Sequence, residues 1–523
     1  MNAEKVLIDG AWTESEGRES FQADNPQTGQ ALAAAYPISP WSEVERAIRA
    51  ASSAAWRVRA WAGERFAAFL EAFAGRLEKR AEELIATAHA ETALAVDPRL
   101  KSVELPRTVN QLRQAAAAAR DGSWVQATID TKANIRSMYA PIGPVVVFGP
   151  NNFPFAFNGA AGGDFAAAVA AGNPVIAKGH TSHPGTSRLL AEEAHQAALD
   201  TEMPAGFVQL IYRTSHADGE RIVSHPLVGA TGYTGSRQAG LRLKEAADRA
   251  GKAIYLELSS VNPVFVLPGA LDERLDDLAQ EFATSCLMGT GQFCTNPGLV
   301  ALVGGGVAEK FITAVTQRFT HAPTGTLLGE GVRRNLVESV RALVAAGAKV
   351  VTGGAPQGGS AVRCENTLLR VDGETFLKHA EALQTEAFGN ESLFVVAKDA
   401  DQLLQVAAKL EGNLTGCIYS HRGGQDDPLY DRLAPVLRER VGRLLNDKMP
   451  TGVAVSPAMN HGGPFPATGH RGFTAVGIPA ALHRFAALEC YDNVRPHRLP
   501  IPLRDANPTG RMWRFIDGTW TQA

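Results

Sequence analysis

Between residues 42 and 120 apolar side chains recur every three to four positions among Ala, Glu, Arg and Leu, most plainly in ERFAAFLEAFAGRLEKRAEELIATAHAETA at 64–93. That period gives each of several helices one apolar face. At 123–143 (SWVQATIDTKANIRSMYAPIG) the texture turns β-branched and alternating, which predicts an extended hairpin projecting from the helical region. From 144 onward short apolar runs (PVVVFGP, NPVIAKG, GFVQLIY, VGATGYTG, AIYLELS) alternate with helical stretches, the first two at about 159–171 and 185–199. Strands alternating with helices of about a dozen residues predict βαβ units on a parallel sheet, a doubly wound layout of the nucleotide-binding type. A second series at about 259–470 (NPVFVLPGA, LVALVGG, KVVTGG, SLFVVAKD, GCIYSH, GRLLND) predicts another α/β domain. VLIDGAWTES at 6–15 and RFIDGTWTQ at 514–522 resemble each other, and both predict hairpins with Asp-Gly turns.

Size and charge narrow the class. At 523 residues and 55.5 kDa the chain exceeds one hydrophobic core, so two or three domains are expected. Apolar residues at 45% and charged residues at 20% suit a globular protein with a large buried core. With 51 Lys and Arg against 54 Asp and Glu, no general field favours nucleic acid or an anionic membrane, and small molecules are the expected partners. The opening MNAEKVLIDGAWTESEG lacks an apolar stretch of signal-peptide length, and no apolar run of about 18 residues occurs, so a cytoplasmic protein is expected. Five cysteines (286, 294, 364, 417, 490) are an odd number without a CxxC pair, which argues against a disulfide framework or a structural zinc, and no metal is expected.

The chemistry concentrates in a few segments. Cys294 lies in MGTGQFCTNPG (288–298), where glycines and Asn296-Pro297 let the backbone turn tightly and be approached by a ligand. Nucleophilic use of the sulfur requires a thiolate, hence a base or a lowered pKa. No histidine is near Cys294 in sequence. Glu257, ending the strand-like AIYLE, is a candidate base at a strand carboxyl end, or equally a turn cap. In FGPNNFP, Asn151 and Asn152 are turn formers or, for one of them, an oxyanion donor. Lys178 and Thr181, in AKGHTSHPGTS, follow another strand and are placed to hold a nucleotide ribose or its 2′-phosphate, with free N–H groups expected on the helix that starts near Pro184. His180 and His183 read as structural, lacking neighbouring ligands. GYTGSRQAG supplies a further glycine turn entering a helix.

In order, and over essentially the whole chain, these segments resemble the NAD(P)-dependent aldehyde dehydrogenase superfamily. GQFC is similar to its nucleophile motif and LELSS to its base motif LELGG, with Ser259-Ser260 replacing the glycines. PNNFP resembles W-N-F-P and assigns the oxyanion role to Asn152. EAFGN resembles E-x-F-G-P, which makes Glu386 a nicotinamide-ribose ligand and Phe388 its packing partner, with Asn390 in place of proline. Gly235 and Ser236 match the pyrophosphate turn. GQFCTNPG, KGHTSHPGTS, HGGPFPATG and the tail NPTGRMWRFIDG look most like the NADP⁺-using branch that contains 2-oxoglutarate semialdehyde (2,5-dioxopentanoate) dehydrogenases and certain fatty aldehyde dehydrogenases. NADP⁺ is the implied cofactor, with NAD⁺ as the alternative. The physics agrees, because Thr181 stands where NAD⁺-preferring relatives carry Glu, and a hydroxyl can donate to a 2′-phosphate that a carboxylate repels. Arg213 is either a further phosphate ligand or a surface arginine.

The resemblance implies an α/β fold: a cofactor domain from 1–122 and 144–258, a catalytic domain at 259–470, and a small β oligomerisation arm from the hairpin 123–143 and the tail 485–523, in a homodimer or homotetramer. It also implies a mechanism in which the Cys294 thiolate attacks an aldehyde, Asn152 and the Cys294 N–H hold the oxyanion, hydride leaves for the nicotinamide, and Glu257 activates water against the thioester. By position relative to the motifs, Ala156, Phe157, Ala160, Phe293, Val455 and His461 line the substrate tunnel, and Arg471 or His461 meets the far carboxylate of a semialdehyde. Long-chain or aromatic aldehydes are the alternative substrates. A catalytically silent binding protein and a cofactor-independent thiol hydrolase are the rivals from other classes.

Overall fold

The apolar runs after residue 144 become strands of a seven-stranded sheet in the computed structural model, which describes residues 3–523. Its order is Ala253–Glu257, Ala230–Thr234, Val145–Phe148, Val175–Lys178, Val208–Ile211, Val6–Ile8, Ala11–Thr13. The first five strands are mutually parallel, and the hairpin Val6–Thr13 closes one edge antiparallel. Val145–Phe148 and Val208–Ile211 are buried at every position, as parallel strands covered on both faces must be. The chain order reverses between Val145–Phe148 and its neighbour Ala230–Thr234, so the crevice at the carboxyl ends of these strands is the place where such a sheet receives a ligand.

The helical region packs on this sheet. Gly63–Lys79 buries Phe66, Phe69, Leu70, Phe73 and Leu77 along one stripe. Phe73 meets Phe165 of the helix Gly163–Ala170 edge-on at 5.6 Å between ring centroids. Pro at the first position and the buried carboxylate of Glu91 start the helix Pro184–Asp200. Glu91 accepts from the N–H groups of Gly185 and Thr186 at 2.7 and 2.8 Å, so these amides are not free for an external anion, contrary to expectation. The helix expected at 159–171 also starts later, at Gly163, because Asn158 folds its side chain onto Ala160 N–H and Pro154 C=O and holds a turn there.

A second seven-stranded sheet runs Lys349–Thr352, Thr367–Asp372, Glu391–Ala397, Leu299–Val303, Val264–Val266, Asn413–Tyr419, Val441–Asn446, parallel except at the first pair. The third sheet has five strands: Ala486–Asp492, Ile135–Pro141, Thr128–Asp130, Arg514–Ile516 and Thr519–Thr521. The hairpin within 123–143 thus pairs with the tail of its own chain, while among the described residues the outermost strands each keep one edge unpaired. Among the described residues no helix is long and apolar enough to cross a membrane.

Candidate active site

The two large sheets meet where Ala253–Glu257 ends and Val264–Val266 begins, and the candidate residues gather there. Cys294 follows the helix Pro268–Leu287 and a tight turn in which Gly289, Thr290 and Gly291 all have positive φ (55°, 59° and 68°). A Cβ on Gly291 would meet the Gly389 carbonyl oxygen at 1.9 Å, so only glycine lets the turn press against the loop carrying Glu386. Past the turn, the Asn262 amide donates to the carbonyls of Cys294 and Asn296 at 2.9 and 2.8 Å and fixes the Cys294 segment.

Glu257 ends the edge strand of the first sheet, and the segment 461–469 is laid along it. Leu258 N–H donates to Ala467 C=O at 2.8 Å, and Gly469 N–H to Leu256 C=O at 3.1 Å. This crossing delivers His461 between the other two groups. Its Nε2 lies 2.8 Å from Glu257 Oε1 and 3.4 Å from Cys294 Sγ, and the three donor or acceptor atoms fall within 4.8 Å of one another. Thr474 Oγ1 accepts from His461 N–H at 2.9 Å and holds that backbone. The second carboxylate oxygen of Glu257 is buried without a hydrogen-bond partner among the described residues.

Burial pushes the Cys294 thiol well above its usual range, and the neighbouring Glu257 charge adds to this, while the Arg107 cation opposes it. The residue keeps some solvent exposure all the same. Its pocket wall is aromatic: Phe153, Phe157 and Phe293 cluster with Ala156, Phe473, Ala475 and Val476, and Phe153 meets Phe293 edge-on at 5.6 Å. Asn152 is buried on the same side, one of its amide hydrogens donated to Gln292 C=O at 3.0 Å and the other left over. Arg99 donates to the Asn152 carbonyl at 2.7 Å and pairs with Glu104, whose Oε1 accepts from Phe155 and Ala156 N–H.

Three comparisons with known proteins place this geometry. The model of the aldehyde dehydrogenase family matches residues 12–433. The chain belongs to the aldehyde dehydrogenase family. As a member it is an oxidoreductase. It is 39% identical to alpha-ketoglutaric semialdehyde dehydrogenase 2 of Azospirillum brasilense over 96% of this chain and 97% of that one. It is 34% identical to alpha-ketoglutaric semialdehyde dehydrogenase of Acinetobacter baylyi over 100% of this chain and 98% of the relative. Lactaldehyde dehydrogenase from Escherichia coli shares the fold, with a TM-score of 0.81 at 21% identity over 94% and 98% of the two chains.

The remaining positions of this aldehyde dehydrogenase fall in separate places. Lys178 ends a strand beside the switch point, and burial, helped by the charge of Arg213, lowers its ammonium to about 8. Among the described residues neither the Lys178 ammonium, the Thr181 hydroxyl nor the Arg213 guanidinium has a hydrogen-bond or ion-pair partner. Ser236 spends its hydroxyl capping the helix Arg237–Arg249, and Gly235 N–H donates to Glu257 C=O at 3.1 Å. Glu386 accepts from Ser260 N–H at 3.3 Å, and burial raises its carboxyl to about 8. It lines a small cavity with Phe388, Phe293 and Ser260.

Two tunnel expectations are corrected. Arg471 is exposed and pairs with Glu439 at 3.1 Å, and Ala160 lies in the main core of the first sheet, outside the aromatic cluster. Val455 is half-buried and offers its carbonyl to Gln114 at 3.5 Å. His183 Nε2–H donates to Pro150 C=O at 2.9 Å inside the core, as a structural histidine does. Arg99, Arg107, Asn262 and Thr474 are site residues that no local motif marks.

Proposed function

We propose that this chain oxidises α-ketoglutaric semialdehyde to 2-oxoglutarate through a thioester on Cys294, with NADP⁺ as the preferred cofactor. The observation that carries the reading is the juxtaposition of Cys294, His461 and Glu257 at the carboxyl edge of the first sheet. The substrate follows from the names of the two relatives that align along their whole lengths.

The residues present suit a dinucleotide carrying a 2′-phosphate. Lys178, Thr181 and Arg213 offer unspent donors and no carboxylate, and a phosphate would restore the full charge on Lys178. Gly235 leaves room for a pyrophosphate, since a Cβ there would already meet Tyr233 Oη at 2.8 Å. Glu386 and Phe388 border the small cavity that Phe293, the residue before Cys294, also lines. Bound NADP⁺ supplies the acceptor for the hydride leaving the substrate carbon.

The chain's own groups do the rest. The Cys294 proton passes to solvent, the Nε2–H of His461, within reach of both Cys294 and Glu257, donates to the resulting thiolate, and the unpartnered oxygen of Glu257 stays free to act as a base. The thiolate adds to the aldehyde carbon, and the spare Asn152 N–H with the Cys294 N–H receives the oxyanion, each such donor being worth roughly 3 kcal/mol. After hydride departure Glu257 removes a proton from water as it attacks the thioester. The acid leaves, the sulfur takes the proton that Glu257 holds, and one aldehyde, one water and one NADP⁺ have given one carboxylic acid, one NADPH and one proton.

The aromatic wall favours a second reading, oxidation of a fatty or aromatic aldehyde. Assays of α-ketoglutaric semialdehyde, hexanal and benzaldehyde with NADP⁺ and NAD⁺ in parallel separate the two. The proposal expects the highest kcat/KM for the semialdehyde with NADP⁺ and none in Cys294→Ala. Preference for hexanal or benzaldehyde overturns the substrate, and turnover by Cys294→Ala overturns the thioester. We further propose a homodimer or homotetramer joined through the open edges of the five-stranded sheet.

A further inference from the structure

A semialdehyde with a carboxylate at its far end needs a cation in the pocket, and neither Arg471 nor His461 is free to supply it. Arg471 is at the surface with Glu439, and His461 is engaged with Glu257 and Cys294. Three other arginines approach the site. Arg99 is spent on Glu104 and the Asn152 carbonyl. Arg443 directs its terminal nitrogens at the Pro450 and Gly452 carbonyls.

Arg107 differs. It sits in the first turn of the helix Leu105–Asp121, and its guanidinium carbon lies 5.2 Å from the ring centre of Phe157 and 5.5 Å from that of Phe153. Phe157 also faces the His461 ring at 5.8 Å, so one aromatic ring stands between Arg107 and the cluster at Cys294. Gln111, one turn along the helix, accepts from Arg107 Nε at 3.1 Å and is itself tied to the Ala156 carbonyl at 3.3 Å, which fixes the direction of the fork. The Nη2 group is buried and has no hydrogen-bond partner, and among the described residues no carboxylate comes within 4.0 Å of the guanidinium. A desolvated, unpaired cation is costly to keep, and a ligand carboxylate binding the fork removes that cost. Burial lowers the guanidinium's affinity for its proton, and a charge on Cys294 is first among the influences that oppose this.

We propose that Arg107 receives the far carboxylate of the substrate, so that a dicarboxylic semialdehyde is held with its aldehyde at Cys294 and its other end on this fork. This rests on the functional reading above. The aromatic rings then line the methylene segment, and neutral aldehydes lose the anchor and keep only the wall.

The test compares kcat/KM for α-ketoglutaric semialdehyde with that for pentanal, a neutral aldehyde of the same chain length, under saturating NADP⁺. In the wild-type holoenzyme the ratio must favour the semialdehyde. In Arg107→Met that ratio is expected to fall about 100-fold, mainly through KM, the size of a lost hydrogen-bonded ion pair. Arg107→Lys keeps the charge but not the two-pronged geometry and is expected to lose about tenfold, which also serves if the methionine variant does not fold. A ratio that survives in whichever variant is soluble overturns the role of Arg107 and leaves the functional reading standing. A wild-type enzyme that prefers pentanal overturns both.

Discussion

Replacing Glu257 by glutamine should make the Cys294 sulfur more reactive while stopping turnover. The carboxylate lies within 4.8 Å of the sulfur, and its charge is the second influence, after burial, holding the thiol above its usual range. At an effective dielectric constant of about 20, a unit charge at that separation is worth about 3 kcal/mol, or roughly two pKa units. The sign follows directly: removing a neighbouring negative charge favours the thiolate, so the midpoint of Cys294 ionisation moves to lower pH. At a pH below both midpoints the thiolate fraction rises up to ~100-fold, and the weaker nucleophilicity of a less basic thiolate reduces the net gain to about tenfold. The assay is the rate of iodoacetamide labelling of the Cys294 peptide between pH 6 and 10 in enzyme without cofactor, read by mass spectrometry. Glu257→Gln should label about tenfold faster near pH 7.5 and oxidise the semialdehyde at least 100-fold more slowly. Labelling that is unchanged or slower would refute the electrostatic coupling.

Three further outcomes follow from the same geometry. His461→Ala removes the N–H shared by Glu257 and Cys294, and is expected to slow hydride transfer 10- to 100-fold in stopped flow; a wild-type rate would contradict the placement. Thr181→Glu sets a carboxylate beside Lys178, so the NADP⁺-to-NAD⁺ ratio of kcat/KM should fall at least tenfold, and a constant ratio would remove the 2′-phosphate from this loop. Arg484→Met strips the 2.6 Å partner from buried Asp164, and guanidinium unfolding should show a loss of about 3 kcal/mol or more, with less than about 1 kcal/mol contradicting the pairing.

The parts of this enzyme legible in its sequence are those in which local pattern and local structure coincide. The runs PVVVF and NPVIAK had to be buried strands because each is apolar on both faces, and GTGQFC had to turn because its glycines permit the positive φ found at 289 and 291. The same holds for Glu257, whose place at a strand end follows from AIYLE alone. What escaped depends on chain crossings. Position relative to the motifs puts His461 on the tunnel wall, whereas the pairing of 467–469 with Leu256 and Leu258 carries it onto Glu257. Arg471, two residues past that pairing, turns outward to Glu439. The helix amides at Gly185 and Thr186 looked free because Glu91, which occupies them, comes from a helix about 90 residues earlier. Arg107 belongs to a stretch whose pattern shows only its amphipathic period, and an arginine with a buried guanidinium on such a face differs from a surface one only once the rings beneath it are known.

The account stands on a covalent bond between substrate and Cys294. Enzyme mixed with NADP⁺ and α-ketoglutaric semialdehyde, quenched in acid within the first turnover and digested, should carry the acyl mass on the 294 peptide, and Glu257→Gln should accumulate it to near one per chain. Steady production of NADPH with that peptide unmodified in both proteins would contradict it.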